Sequence, residues 1–208
     1  SVEGINFKAM KGQTIGVIGG TGSGKSSLVN LIPRLYDATQ GEVLVDGVNV
    51  KDYDIEALRN KVGIVMQKAV LFKGTIRENM WMGKKGATDE QIDEALEISQ
   101  SKEFVDSKQG RLDYVIEQGG KNLSGGQRQR LTIARAIVRK PDVLILDDSA
   151  SALDFATDAA LRKAIRGMNN SPTVFIVSQR AASLMYADLI IVLDDGQVAG
   201  MGTHDELL

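Results

Sequence analysis

Gly19-Gly20-Thr21-Gly22-Ser23-Gly24-Lys25-Ser26 decides the reading of this 208-residue chain. Thr14–Ile18 before it is an apolar run of strand length. Lys25–Leu35 after it reads as a helix interrupted near its end by Pro33. The spacing G-x-x-x-x-G-K-S is met by Gly19, Gly24, Lys25 and Ser26, in the strand-then-helix context that a phosphate-binding loop needs. Glycines let the backbone curl until its N–H groups face a polyphosphate, and the helix start adds a partial positive charge. Lys25 is expected to reach the β- and γ-phosphates and the Ser26 hydroxyl to bind Mg²⁺. ATP and Mg²⁺ are thus the expected cofactors, held by Gly19 through Ser26 and the adjoining Ser27.

Moving outward, Glu42–Val45 and Val48–Val50 read as a hairpin joined by Asp46-Gly47. Val62–Met66 is a further strand. The character then changes, because Thr75–Trp81, Thr88–Ser99 and Glu103–Ser107 read as helices. Thr88 and Gln91 make a capping box ahead of the apolar face Ile92, Ala95, Leu96 and Ile98. Another helix is expected from Ser124 to about Val138. Strands return at Val143–Leu146, Thr173–Val177 and Leu189–Leu193, and Asp194-Asp195-Gly196 turns the chain into Gln197–Ala199. The expected fold is α/β, with a largely parallel sheet and an inserted helical block. The core would take residues 1–69 and 139–208, and the helical block 70–138, in one domain of 208 residues.

The net charge of −2 leaves no basic footprint for nucleic acid. No apolar run approaches the roughly 18 residues of a membrane helix. No signal peptide is evident, and the absence of Cys fits a reducing compartment.

Val143-Leu144-Ile145-Leu146-Asp147 is a buried strand ending in a carboxylate. Such an Asp holds Mg²⁺ in phosphate-loop nucleoside triphosphatases; the alternative is a helix cap after the strand. Asp148 beside it is the candidate general base. Leu123-Ser124-Gly125-Gly126-Gln127 opens a helix with Ser124 as its N-cap, and two glycines there leave N–H groups open to an anion. One loop already serves one nucleotide, so this second start is expected to meet ATP bound to another subunit. A capped surface helix is the other reading of the pentapeptide alone.

Taken together, these elements resemble the nucleotide-binding domain of ATP-binding-cassette transporters over nearly the whole chain. Gly19–Ser26 is similar to the family's Walker A motif, Val143–Asp147 to its Walker B, and Leu123–Gln127 to its LSGGQ signature. Gln67 resembles the Q-loop glutamine, which implies contacts to Mg²⁺ and to a membrane domain. Ser151-Ala152-Leu153-Asp154 matches the D-loop that crosses the dimer interface. Glu117-Gln118-Gly119 lies where exporters carry a coupling loop, and Leu71–Asn79 and Gly202–Leu208 are also similar to exporter sequences. The resemblance implies a RecA-like phosphate-loop core with an antiparallel β subdomain and an inserted helical subdomain. It also implies a second nucleotide-binding domain as partner, transmembrane domains contacted near Gln67 and Glu117, and a location at the cytoplasmic face of a membrane.

Two positions depart from the family. Its usual Glu after the Walker B Asp is Asp148 here, one methylene shorter, which draws the carboxylate back by about 1.5 Å. Its switch histidine, expected after Thr173–Val177, is Gln179. Gln can hydrogen-bond a γ-phosphate but cannot become an imidazolium. His204, the chain's single His, is expected in a capping box with Thr203 and Glu206. Both departures fall in the half-site this chain supplies, while the signature it would offer a partner is intact. That combination resembles the degenerate-site half of a heterodimeric exporter, whose partner would carry the competent Glu and His. The alternatives are a self-sufficient homodimeric ATPase with Asp148 as a slow base, or a nucleotide-gated regulatory subunit. Adenine in this family stacks on an aromatic residue upstream of the first motif. Phe7 is the only aromatic before Gly19 and reads as core, so the chain is expected to begin after the stacking position, as one domain of a longer protein.

Overall fold

The computed structural model describes residues 2–149 and 151–208. Its elements open with β1 (Thr14–Gly19), α1 (Lys25–Asn30), β2 (Leu44–Val45), β3 (Val48–Asn49), α2 (Ile55–Lys61) and β4 (Val62–Val65). Then come β5 (Gly74–Thr75), α3 (Ile76–Gly83), α4 (Asp89–Ile98), α5 (Lys102–Asp106), β6 (Val115–Ile116) and α6 (Gly125–Ile137). The last are β7 (Val143–Asp147), α7 (Phe155–Arg166), β8 (Thr173–Ser178), β9 (Leu189–Asp194) and β10 (Gln197–Gly202). Two compact units result. One gathers the chain up to Ile64 with Asp142–Asp148 and Pro172–Leu208; the other gathers Val65–Pro141 and Ser149–Ser171.

The first unit is built on a six-stranded sheet in the order β10-β9-β1-β8-β7-β4. β9, β1, β8 and β7 run parallel, and β10 returns antiparallel to β9. Both faces are covered, which is why β8 is buried at every position from Thr173 to Ser178. Ile15, Val17, Ile145, Phe175, Val177, Ile191 and Leu193 form one core with Leu28 and Val29 of α1 and Leu58 of α2. Phe7 packs edge-on against Phe175, with ring centres 6.2 Å apart. The turn Asp46-Gly47 has φ of 52° and 77°, the left-handed pair that a two-residue hairpin prefers.

α1 is shorter than its sequence suggests and ends at Asn30. Pro33 has no N–H to give the Val29 carbonyl, and its ring disfavours helical geometry at Ile32. The chain tightens instead into i→i+3 bonds, from Leu31 to Leu28 and from Ile32 to Val29. Two helices escape the sequence pattern altogether. Asp54 caps α2, which buries only Leu58; Asp154 caps α7, which buries only Leu161 and Ile165.

In the second unit, capping boxes open α3 (Thr75 and Glu78), α4 (Thr88 and Gln91) and α6 (Ser124 and Gln127). Buried Asn79 ties the preceding loop to α3: its Oδ1 accepts from the Phe72 N–H, and its Nδ2 donates to the Phe72 and Thr75 carbonyls, each at 3.0 Å. α3 and α6 cross closely at Gly83. A Cβ there would lie 2.0 Å from the Arg135 carbonyl oxygen and 2.9 Å from Val138 Cγ1. Gly→Ala in a helix ordinarily stabilises by about 0.5–1 kcal/mol. Here the clash is with backbone, and overpacking of this kind costs about 1–3 kcal/mol. Gly83→Ala is therefore expected to lower stability by roughly 1–2 kcal/mol, read as a lower denaturation midpoint in urea. A higher midpoint would mean that the crossing yields freely.

Candidate functional site

Register brings three strand ends to one edge of the first unit's sheet. Ile18 of β1 is level with Ser178 of β8, and Val177 of β8 with Asp147 of β7. The phosphate-type loop thus follows β1, the acidic pair closes β7, and Gln179 leaves β8, all at carboxyl ends of adjacent parallel strands. This is where open α/β sheets take ligands.

The loop is shaped by what it lacks. A Cβ on Gly19 would lie 2.3 Å from the Leu193 carbonyl oxygen and 2.5 Å from Ser23 Oγ. Gly24, at φ 97°, caps α1 with no side-chain hydrogen bond. On the other side, a Cβ on Gly20 or Gly22 would meet nothing within 4 Å. Thr21, Ser26 and Ser27 are exposed. Buried Lys25 folds over the loop, its Nζ donating to the carbonyls of Gly19 at 2.8 Å and Gly20 at 2.7 Å. Ser23 Oγ is buried without a partner among the described residues. Such an orphaned hydroxyl is the kind of atom that a bound polar group satisfies.

Asp147 is 5% exposed. Burial pushes its carboxyl above the usual carboxylate range; the Ser26 hydrogen bond opposes the rise, the Asp148 charge adds to it, and the Lys25 charge opposes it. The expected metal ligands Ser26 and Asp147 therefore touch. An ionised Asp147 is held there at a cost to folding, and a cation between the two would relieve it. Among the described residues no group of three or more His, Cys, Asp or Glu gathers to hold a metal. The donor set suits a cation that shares ligands with a phosphate. Asp148 is half-buried at φ 46°, with its N–H donating to the Val177 carbonyl at 3.0 Å. Gln179 is exposed, and the next turn is pinned by the Arg180 N–H donating to Ser178 Oγ.

Gln67 and the Ser124–Gln127 turn belong to the second unit. Gln67 is exposed beyond the end of β4. At the turn, the Gln127 N–H donates to Ser124 Oγ at 3.2 Å, and the Ser124 N–H donates to Gln127 Oε1 at 3.1 Å. Gly125 is exposed, and a Cβ on Gly126 would lie 3.3 Å from the Ala152 carbonyl oxygen. Glu117 is exposed, its N–H donating to Asn122 Oδ1. Arg128 escapes sequence reasoning: its Nη1 donates to the carbonyls of Leu123 at 2.9 Å and Gly120 at 3.3 Å. No local signal marks this fork, which reaches back over the turn.

Residues 2–151 match the family model described as ABC transporter. The chain belongs to the ABC transporter family. This ABC domain is 40% identical over 204 residues to multidrug export ATP-binding/permease proteins of Staphylococcus aureus, from strains COL and Mu50 among others. The match takes in 98% of this chain and 35% of theirs, so the chain spans about a third of the length of those relatives. The solved structure of a bacterial Atm1-family ABC exporter with ATP bound superposes on the whole chain with a TM-score of 0.94 at 32% identity, over 36% of that exporter's chain. The ABC ATPase fold, a RecA-like core with parallel and antiparallel strands, is thus established for this domain. Among the described residues no helix is long and apolar enough to cross a membrane.

The loop's tolerance tests the geometry of this ABC domain. Gly19→Ala is expected to weaken MgATP binding by at least about tenfold, because the new methyl must displace either the Leu193 carbonyl or Ser23. Gly20→Ala, which points into open space, is expected to cost far less. Titration calorimetry on both variants checks this, and equal losses would show that the close approach at Gly19 does not shape the loop.

Proposed function

We propose that the chain is the ATP-binding domain of a membrane exporter and that its own half-site binds MgATP but hydrolyses it poorly. The observation that carries the reading is the convergence of the Gly19–Ser26 loop, Asp147, Asp148 and Gln179 at one sheet edge. Exporter relatives and an ATP-bound structural neighbour support it.

In this reading the N–H groups of Gly20 through Ser26 cradle the phosphates, and Lys25 turns from its two carbonyls toward the β- and γ-oxygens. Ser26 and Asp147 would hold Mg²⁺. When bound, Mg²⁺ would supply charge neutralisation to the phosphates. Asp148 would take the proton of the attacking water, and Gln179 would hydrogen-bond the γ-phosphate. Asp148 is poorly suited to its task. Its carboxylate ends about one carbon–carbon bond short of where Glu would reach. The N–H bonded to Val177 ties its backbone into the sheet, so the strand cannot advance to make up the difference. A misplacement near 1 Å costs on the order of 100-fold in rate.

Ser124, Gly125, Gly126 and Gln127 would face ATP held by a second, non-identical nucleotide-binding domain that carries the competent Glu and His. Closure of the pair around ATP then shifts the membrane part by mass action, since ATP favours the closed state. Residues 1–69 and 139–208 serve as the nucleotide core and 70–138 as the helical part. The surfaces near Gln67 and Glu117 meet transmembrane domains at the cytoplasmic face.

ATP turnover by the purified chain over a concentration series, beside Asp148→Glu, Gln179→His, tests the reading. The parent should be nearly inert, and the double variant should gain roughly 10- to 100-fold with a cooperative concentration dependence. A parent that already hydrolyses ATP cooperatively, with little added by the two substitutions, would make Asp148 a working base in a homodimer.

A further inference from the structure

We propose that Ser178 is a positioning residue for Gln179, fixing the backbone from which that side chain reaches a γ-phosphate. The proposal rests on the reading above, in which Gln179 hydrogen-bonds the γ-phosphate.

Ser178 is the last residue of β8 and is 7% exposed, while Gln179 after it is exposed. Ser178 Oγ accepts from the Arg180 N–H at 3.0 Å and lies 3.5 Å from the Arg180 carbonyl oxygen. A hydroxyl bonded to the N–H two residues on closes a small ring, the side-chain counterpart of a tight turn. That ring runs from the Ser178 side chain through the Gln179 backbone to the Arg180 nitrogen. Both soft backbone dihedrals of Gln179 therefore lie inside it. The turn sets the direction in which the Gln179 side chain leaves the end of the strand.

The far side of the turn is held as well. The Ser183 N–H donates to the Arg180 carbonyl at 3.0 Å and the Leu184 N–H to the Ala181 carbonyl at 2.9 Å, so Ala181–Ser183 forms one 3₁₀ turn. Leu184 then points inward and is 1% exposed. It packs on Gly16 of β1, where an added Cβ would lie 3.1 Å from each Leu184 δ-carbon. The Leu184 carbonyl accepts from the Ala187 N–H at 2.9 Å, and the Asp188 N–H donates to the Thr14 carbonyl at 2.8 Å. Gln179 thus stands on a strap fastened to β8 at one end and to β1 at the other. Of these fastenings, the Ser178 bond is the one that encloses Gln179 itself. A glutamine has several rotatable bonds, so its amide meets an oxygen with less loss of freedom when the backbone beneath it is already placed.

Nucleotide titration and residue-resolved amide exchange on the 208-residue chain test this. In the reading above Gln179 touches the γ-phosphate alone, so its placement enters MgATP affinity and leaves MgADP affinity untouched. Ser178→Ala removes the hydroxyl and should speed exchange of the Arg180 amide by about fivefold to tenfold. It should weaken MgATP binding by about threefold to fivefold, with MgADP binding unchanged. Ser178→Thr keeps the hydroxyl and should restore both. In a Gln179→Ala background, Ser178→Ala should cost no further MgATP affinity. Thr173→Val controls for general loosening of β8: it removes a hydroxyl at the opposite end of the strand, which donates to the Met10 carbonyl at 3.2 Å. It should change neither Arg180 exchange nor the preference for MgATP. An Arg180 amide that exchanges no faster in Ser178→Ala, equal losses of MgATP and MgADP affinity, or an undiminished loss on top of Gln179→Ala would each overturn the proposal. A parent chain that fails to bind MgATP would instead sink the functional reading, and Arg180 exchange would still decide whether Ser178 sets the backbone at Gln179.

Discussion

The nucleotide edge depends on one constraint, the parallel register that sets Ile18 against Ser178 and Val177 against Asp147. A slip of one residue would move a strand end by about 3.3 Å and turn its side chains to the opposite face. Ile15 and Val17 would leave the core, and Gly16, which lies against Leu184, would be replaced there by a larger neighbour. The hydrophobic pattern of β1 and β8 thus fixes the site as firmly as it fixes the core. Gly19 adds a second lock, because only a residue without Cβ can pass between the Leu193 carbonyl and Ser23.

Two opposite charges are buried at this edge, Lys25 at 9% and Asp147 at 5% exposure. Each is satisfied locally: Lys25 by two loop carbonyls, Asp147 by the Ser26 hydroxyl. Burying charge costs several kcal/mol per ion unless it is compensated. That explains why Lys25 bends back onto its own loop and why burial pushes the Asp147 carboxyl above its usual range. A phosphate and its cation would exchange these local bonds for full ion pairs. The site carries its polarity in advance and so needs little reorganisation on binding.

Much of this was legible in the sequence, because the decisive signals are local. The spacing from Gly19 to Ser26, the Thr88–Gln91 box and the Asp46-Gly47 turn each fix geometry within a few residues. Signals acting at a distance, or through one buried side chain, were not legible. α2 buries only Leu58, which gives no period to read. α7 exposes Phe155 at its start and buries only Leu161 and Ile165. β5 and β6 have two residues each and pair Gly74 with Ile116, across an intervening run of helices. His204 is a partial case: Glu206 does accept from the Thr203 N–H, but residues 204–206 form a turn. The bond from Arg130 Nη1 to the Gln100 carbonyl was invisible because its partner lies thirty residues upstream.

The two glycine-led helix starts differ in a way that bears on their order of use. α1 begins at Gly24 with no side-chain cap, so its first N–H groups have no acceptor of that kind to give up. α6 begins with a complete reciprocal box between Ser124 and Gln127. An acceptor arriving at α6 must replace a side-chain cap worth about 1 kcal/mol, so it recovers only the difference between the two bonds. An acceptor at the Gly19–Ser26 loop meets no such competitor, and it finds an unpartnered Ser23 hydroxyl besides. Of the two helix starts, the loop is therefore the one with less to give up to a polyphosphate.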